Sequence, residues 1–306
     1  MTNFNNTLLR CHALGNIMSN GVGKSPMNKY LDAVQSLSLN KEKYEAFKNK
    51  ECKSANETLE RIGCLEKEIP ELEKRKNDIM LSETCKTYLI QTYVLSKYGR
   101  IKEISTKQMT KGTITEEDAI DLFSILDGVV YNKNIVTLRN DFIAGTPDLH
   151  DGDDINNCFE VIDIKSSWDI FTFLSNVACP QNDMYYWQIQ GYMALTGAQI
   201  GTIAYCLVNT PESLIEGEKY NLLRKMDVAT EESPEFIREL EKLLHNRRFD
   251  DIPMEERVLT YSVERNDADI ERIYQKVVKC REFMAEFEEM HLKFSKNYRK
   301  TLFIGV

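Results

Sequence analysis

Val161-Ile162-Asp163-Ile164-Lys165 is an apolar run interrupted by an acid and a lysine two residues apart. Its β-branched residues predict a buried strand. Residues i and i+2 of a strand share a face, so Asp163 and Lys165 emerge side by side while Ile162 and Ile164 face the other way. Upstream, Gly145-Thr146-Pro147-Asp148 sets a second acid where the chain leaves a strand at a proline turn, from which it reaches the same place. Two carboxylates and an ammonium on one sheet edge are suited to holding a hard divalent cation and a water beside a phosphate.

An acid-x-lysine triplet carries little weight alone. Glu51-Cys52-Lys53 is another, in a polar, lysine-rich stretch that reads as a solvated helix face. Asp163 differs in what surrounds it. Trp187 to Leu195 reads as a helix ended by Gly197, with Gln188 and Tyr192 at i and i+4 on one face. Further upstream, Lys111-Gly112-Thr113-Ile114-Thr115-Glu116-Glu117-Asp118-Ala119 leads into a helix predicted from Thr115 to Ile125. Thr115 stands as its N-cap, and Asp118 three residues on approaches a capping box. Glu116 and Glu117 have two readings, a ligand at the site or acids that complement a positive helix N-terminus.

In order and spacing these segments resemble the PD-(D/E)xK nuclease superfamily, and within it the lambda-exonuclease-like and RecB-like branches. The matching residues are Pro147-Asp148, Asp163-Ile164-Lys165, Gln188-x-x-x-Tyr192, and Gly112, Glu116 and Ala119. The resemblance covers roughly residues 95 to 210. It implies an α/β fold, a restriction-endonuclease-like core with a mixed central sheet flanked by helices, here with an N-terminal helical extension. It implies Mg²⁺ or Mn²⁺ held by Asp148, Asp163, the Ile164 carbonyl and Glu116 (or Glu117). Lys165 would orient a water, and Gln188 and Tyr192 would position the DNA strand or the lysine. The implied activity is metal-dependent hydrolysis of phosphodiester bonds in linear DNA, in recombination or replication of a phage or mobile element. A single-strand annealing protein is an implied partner and a homo-oligomer an implied state. An endonuclease and a non-catalytic DNA-binding protein are the alternatives.

The chain has 306 residues, 39 Lys and Arg against 48 Asp and Glu, and a net charge of -9. That balance speaks against a generally basic nucleic-acid binder, yet a metal site concentrates acids and only a groove need be positive. Arg100, Lys102, Lys107, Lys111 and Arg139 are the candidate groove bases. Eight cysteines form no C-x-x-C pair and lack zinc-ligand spacing. The expectation is reduced, mostly buried thiols and no iron–sulfur cluster. No apolar run reads as a signal peptide or a membrane span, so a cytoplasmic protein is expected.

Residues 1–27 carry Gly, Ser and Asn without a period and read as loosely docked. Residues 28–98 read as helical. Ile62, Leu65, Ile69, Leu72 and Ile79 suggest a coiled-coil-like seam in a helical hairpin, with Pro70 a kink or restart. This predicts a helical extension over 1–95 and a nuclease-type core with C-terminal helices over 96–306. Within the core, strands are expected at 135–144, 158–165, 200–208 and 258–263, with helices at 233–248 and 267–296. Trp168, Phe171 and Phe173 read as core more readily than as base-stacking residues. The acidic stretch 149–157 reads as a hairpin turn, since Ile155 stands where an EF-hand needs a ligand. His150 and His245 have no partner pattern and read as non-catalytic.

Overall fold

The computed structural model describes residues 2–19, 25–47, 53–76, 78–179, 182–226 and 230–302. The chain divides into two compact units, Ile17–Ile90 and Met1–Asn16 with Gln91–Val306. The first elements are β1 (Leu9–Arg10), α1 (Leu14–Met18), α2 (Pro26–Phe47), α3 (Lys53–Arg75) and α4 (Glu83–Tyr98). Next come α5 (Lys107–Ile114), α6 (Glu116–Asp127), β2 (Leu138–Arg139), β3 (Ile143–Gly145), β4 (Leu149–His150) and β5 (Glu160–Ser166). Then follow α7 (Ile170–Ala178), α8 (Asp183–Thr196), β6 (Ile200–Cys206), α9 (Glu212–Met226) and α10 (Pro234–His245). β7 (Val258–Glu264) and α11 (Asp267–Leu302) complete the order.

In the smaller unit α2 and α3 form the expected hairpin. Tyr30 meets Glu73 and Lys41 pairs with Glu66, so the helices run antiparallel. Of the predicted seam, Ile62 and Leu65 are buried and Ile69 and Leu72 half-buried. Pro70 does not restart the chain into a second helix. It lies exposed inside a continuous α3. A mid-helix proline costs about 3 kcal/mol, and its exposed place sets that cost away from the inward face that carries Leu65.

The larger unit is built on two sheets. β4-β5-β6-β7 form a mixed four-stranded sheet in that order, with β5 and β6 parallel and the outer pairs antiparallel. Parallel neighbours need a long crossover, and α7 and α8 supply it. Strand alternation divides the core in two. Ile162 and Ile164 of β5 and Ala204 and Cys206 of β6 pack against Ala119, Ile120, Leu122 and Phe123 of α6. On the opposite face Ile203 and Tyr205 pack with Phe173, Leu207 and Phe249. Fully burying side chains of this size stabilises by about 1.5–3 kcal/mol each. Phe173 is thus core, as expected, while Phe171 is exposed.

Two expectations change here. Residues 135–144 form no single strand. β2 and β3 pair antiparallel, with Leu138 opposite Gly145 and Arg139 opposite Ala144. The turn between them is set by Asn140, whose Oδ1 accepts from the backbone N–H of Phe142 and Ile143, a local bond asparagine makes readily. Nor is the N-terminal stretch loosely docked where it is described. β1 pairs parallel to β3, Leu9 opposite Ile143, and Phe4, Leu9, Cys11, Ala13, Leu14 and Ile17 are buried. Residues 20–24 of that stretch lie outside the described residues. The first sixteen residues therefore belong with the larger unit, whereas the sequence suggested a division near residue 95.

Candidate active site

β5 carries Asp163 and Lys165 on one face, as the alternation requires. The carboxylate of Asp163 is almost fully buried, and the Lys165 ammonium lies 2.5 Å from its Oδ2. Among the described residues Oδ2 has no other partner. Oδ1 accepts from the Gln188 amide at 3.0 Å, and the same amide nitrogen lies 3.0 Å from the Tyr192 hydroxyl. Gln188 and Tyr192 are both buried on α8, one turn apart on the face turned to the sheet. The structure thus joins four of the predicted residues in one buried polar chain. Lys165 also faces the Tyr185 ring, 5.0 Å from its centroid.

Asp148 joins from the turn just before β4. Leu149 stands opposite Ile162, and one further step of that antiparallel register sets Asp148 opposite Asp163. Its Oδ2 accepts from the backbone N–H of Ile164 at 2.7 Å. Burial and the nearby Asp163 carboxylate push the Asp148 carboxyl up to about 8, against the opposing pull of Lys165 and the Ile164 N–H. Burial alone would lower the Lys165 ammonium, but Asp163 and Asp148 outweigh it and hold it above its ordinary value. Burial and the same two carboxylates raise the Tyr192 hydroxyl, so it stays protonated.

Glu116 opens α6 but does not complete a three-carboxylate cage. Its carboxylate pairs with Lys133 at 2.7 Å. Its negative charge contributes to the rise of Asp148, so it borders the site. Among the described residues no three His, Cys, Asp or Glu side chains are grouped to hold a metal ion. Thr115 occupies the position before α6 without capping it through its side chain. Its hydroxyl instead donates back to the Lys111 carbonyl at 2.9 Å. Lys111 is fully buried, which removes it from the candidate groove bases. Lys107 pairs with Glu218.

Two contributors had no reading in the sequence. Asn134 is buried, and its amide donates to the Pro147 carbonyl while its backbone N–H donates to the Asp148 carbonyl. It fixes the turn that presents Asp148. The second is the 3-10 turn Cys11–Ala13 after β1. Desolvation and the charges of Arg10 and Lys165 hold the exposed His12 imidazole below its ordinary value, so this turn lies by the lysine. Close packing places it there. A Cβ on Gly145 would stand 2.7 Å from both Cys11 Sγ and Tyr192 Cε1.

Gly145→Ala is therefore expected to destabilise the chain by about 1–3 kcal/mol, the usual cost of overpacking. Denaturant unfolding measures it. Wild-type stability would show that Tyr192 gives way freely. Asp148 gives a pH signature. Its folded pKa lies above its unfolded value, so the folded state binds the extra proton and stability falls as pH rises toward about 8. Thermal melts in EDTA should drop from pH 6.5 to pH 8, and Asp148→Asn should flatten that slope.

The fold has solved counterparts. A phage-related exonuclease from Haemophilus somnus 129PT matches with TM-score 0.60 and 20% identity, over 94% of this chain and 97% of that chain. An alkaline exonuclease from Laribacter hongkongensis matches with TM-score 0.47 and 18% identity, over 71% of this chain and 89% of that chain. The same enzyme in complex with dAMP matches with TM-score 0.47 and 19% identity, over 72% and 88%. The first likeness establishes the fold, the α/β core with mixed sheets flanked by helices that the lambda-exonuclease-like resemblance implies. No family model and no curated protein matches the sequence. Among the described residues no helix is long and apolar enough to cross a membrane.

Proposed function

We propose that the chain is a metal-dependent deoxyribonuclease that degrades linear DNA from its ends. The observation that carries this reading is the Asp163–Lys165 pair on β5 with Asp148 opposite it. The donor set suits a hard divalent cation. Asp148 is pushed upward by burial and by the Asp163 carboxylate, and a cation held by the two carboxylates would relieve their repulsion. Asp148 and Asp163 would hold Mg²⁺ or Mn²⁺, with the Ile164 carbonyl as a further oxygen and Glu116 reaching it through water or after leaving Lys133. Bound there, the ion supplies Lewis acidity toward water and phosphate.

The chain's own residues do the rest. Lys165, charged at every working pH, orients the attacking water and offsets charge that builds on the phosphate. Gln188 fixes the Asp163 carboxylate through Oδ1 and leaves Oδ2 to the lysine and the ion. Tyr192, held protonated, keeps the Gln188 amide in place. The solved structure of like fold is named a phage-related exonuclease, which agrees with attack at DNA ends; a role in recombination or replication of a phage or mobile element rests on the sequence resemblance. A single-strand annealing protein as partner and a homo-oligomeric state belong to the same proposal.

The test is end-labelled linear duplex and covalently closed circular DNA, each with Mg²⁺ or EDTA, beside Asp163→Asn. Metal-dependent loss of the linear DNA alone, absent in the variant, supports an exonuclease. Cutting of the circle moves the reading to an endonuclease. A mobility shift without cutting moves it to a DNA-binding protein.

A further inference from the structure

Lys111 is fully buried and lies outside the Asp148–Asp163–Lys165 set. Its ammonium donates to the backbone carbonyls of Ser167 at 2.8 Å and Trp168 at 3.2 Å. It also stands 5.2 Å from the centroid of the Phe249 ring. Burial and the charge of Arg247 push the ammonium down to about 8, with Asp169 acting the other way. A lysine so placed stabilises less than a methionine of similar length would. An apolar side chain, however, could donate to neither carbonyl.

Those carbonyls belong to the residues that leave β5, and Ser167 is two positions beyond Lys165. The same junction is tied a second time. Thr115 Oγ1 lies 3.1 Å from Ser166 Oγ while it donates to the Lys111 carbonyl, and Glu116 follows Thr115 directly. The Trp168 ring carries the Arg247 guanidinium 4.7 Å from its centroid, itself paired with Glu218 at 2.7 Å.

We propose that Lys111 is a positioning residue: its buried ammonium clamps the end of β5 to the α5–α6 junction and so fixes Lys165 relative to Glu116. The inference rests on the reading of Lys165 as the group that acts at the phosphate. Near-attack geometry is sensitive to shifts of about 1 Å, which can cost on the order of 10²-fold in rate.

The test is Lys111→Met, which keeps the length and removes the donors. Its kcat is expected to fall about 10–100-fold with KM within about threefold, the pattern of a lost transition-state alignment. Lys111→Arg, which keeps a donor cation, should retain more activity. The chain has two tryptophans, Trp168 and Trp187. In a Trp187→Phe background, used for fluorescence only, Lys111→Met should shift Trp168 emission to the red and increase its quenching by acrylamide. Should Lys111→Met fail to fold, Thr115→Val loosens the same junction and should lower kcat about 3–10-fold by the same geometric sensitivity. A folded Lys111→Met with kcat within twofold of wild type, or with only KM raised, overturns the inference. A wild type that cuts no DNA overturns the nuclease reading instead. The Trp168 signal then decides the clamp by itself: unchanged emission and quenching remove it.

Discussion

Lys165→Ala should lower single-turnover cleavage at saturating DNA and metal by about 10²–10³-fold, the usual loss when one preorganised charge at a reacting centre is removed. The reason is how the ammonium is held. It stands 2.5 Å from Asp163 Oδ2, faces the Tyr185 ring at 5.0 Å, and is raised by two carboxylates so that it stays charged. It needs no reorganisation when charge builds on the phosphate. Divalent-cation affinity should change far less, because both carboxylates remain. The direction of that smaller change also follows. Lys165 lowers Asp148, so its loss lets the Asp148 carboxyl rise further and moves cation binding to higher pH. Cation titrations at pH 7 and pH 9 read that shift. A variant with full turnover would remove Lys165 from the reaction.

What the sequence made legible follows from which interactions are local. Strand alternation depends on nearest neighbours, so Asp163 and Lys165 could be set on one face and Ile162 and Ile164 on the other, and β5 with its α6-facing core agrees. Helical spacing is equally local, and Gln188 and Tyr192 share a face as expected. Gly197, with φ 84°, ends α8 where a left-handed residue is needed. What was hidden depends on partners far along the chain. Leu9 gains its strand only by pairing with Ile143, and two residues of strand leave no period to detect. Asn134 reads as one more loop asparagine until Pro147 and Asp148 meet it. Lys111 looked like a groove base because a lysine's sequence neighbours do not disclose burial. Its acceptors are carbonyls 56 and 57 positions away. Glu116 falls between these cases. Its place at the head of α6 was legible, but its pairing with Lys133, 17 positions away, was not.

Asp163→Asn is expected to have the largest effect on the site, because this one carboxylate serves three purposes. It is the acceptor of the Gln188 amide, the partner of the Lys165 ammonium, and the charge that raises Asp148. Asparagine keeps the shape and one oxygen for Gln188 but brings no charge. Three results should then appear together. Cleavage should be lost, because the cation and the lysine are both deprived of their common carboxylate. The thermal stabilisation that Mg²⁺ or Mn²⁺ gives the wild type should vanish, since a ligand that no longer binds the folded state cannot stabilise it. The fall in metal-free stability between pH 6.5 and pH 8 should weaken in part, because Asp148 stays buried but loses the repulsion of its neighbour's charge. The third result separates a ligand role from general damage. A misfolded variant loses activity and cation response alike, whereas a folded variant that has lost only the Asp163 charge keeps a cooperative melt with a weakened pH slope. A folded Asp163→Asn that still melts higher with Mn²⁺ and still cuts DNA would place the metal elsewhere.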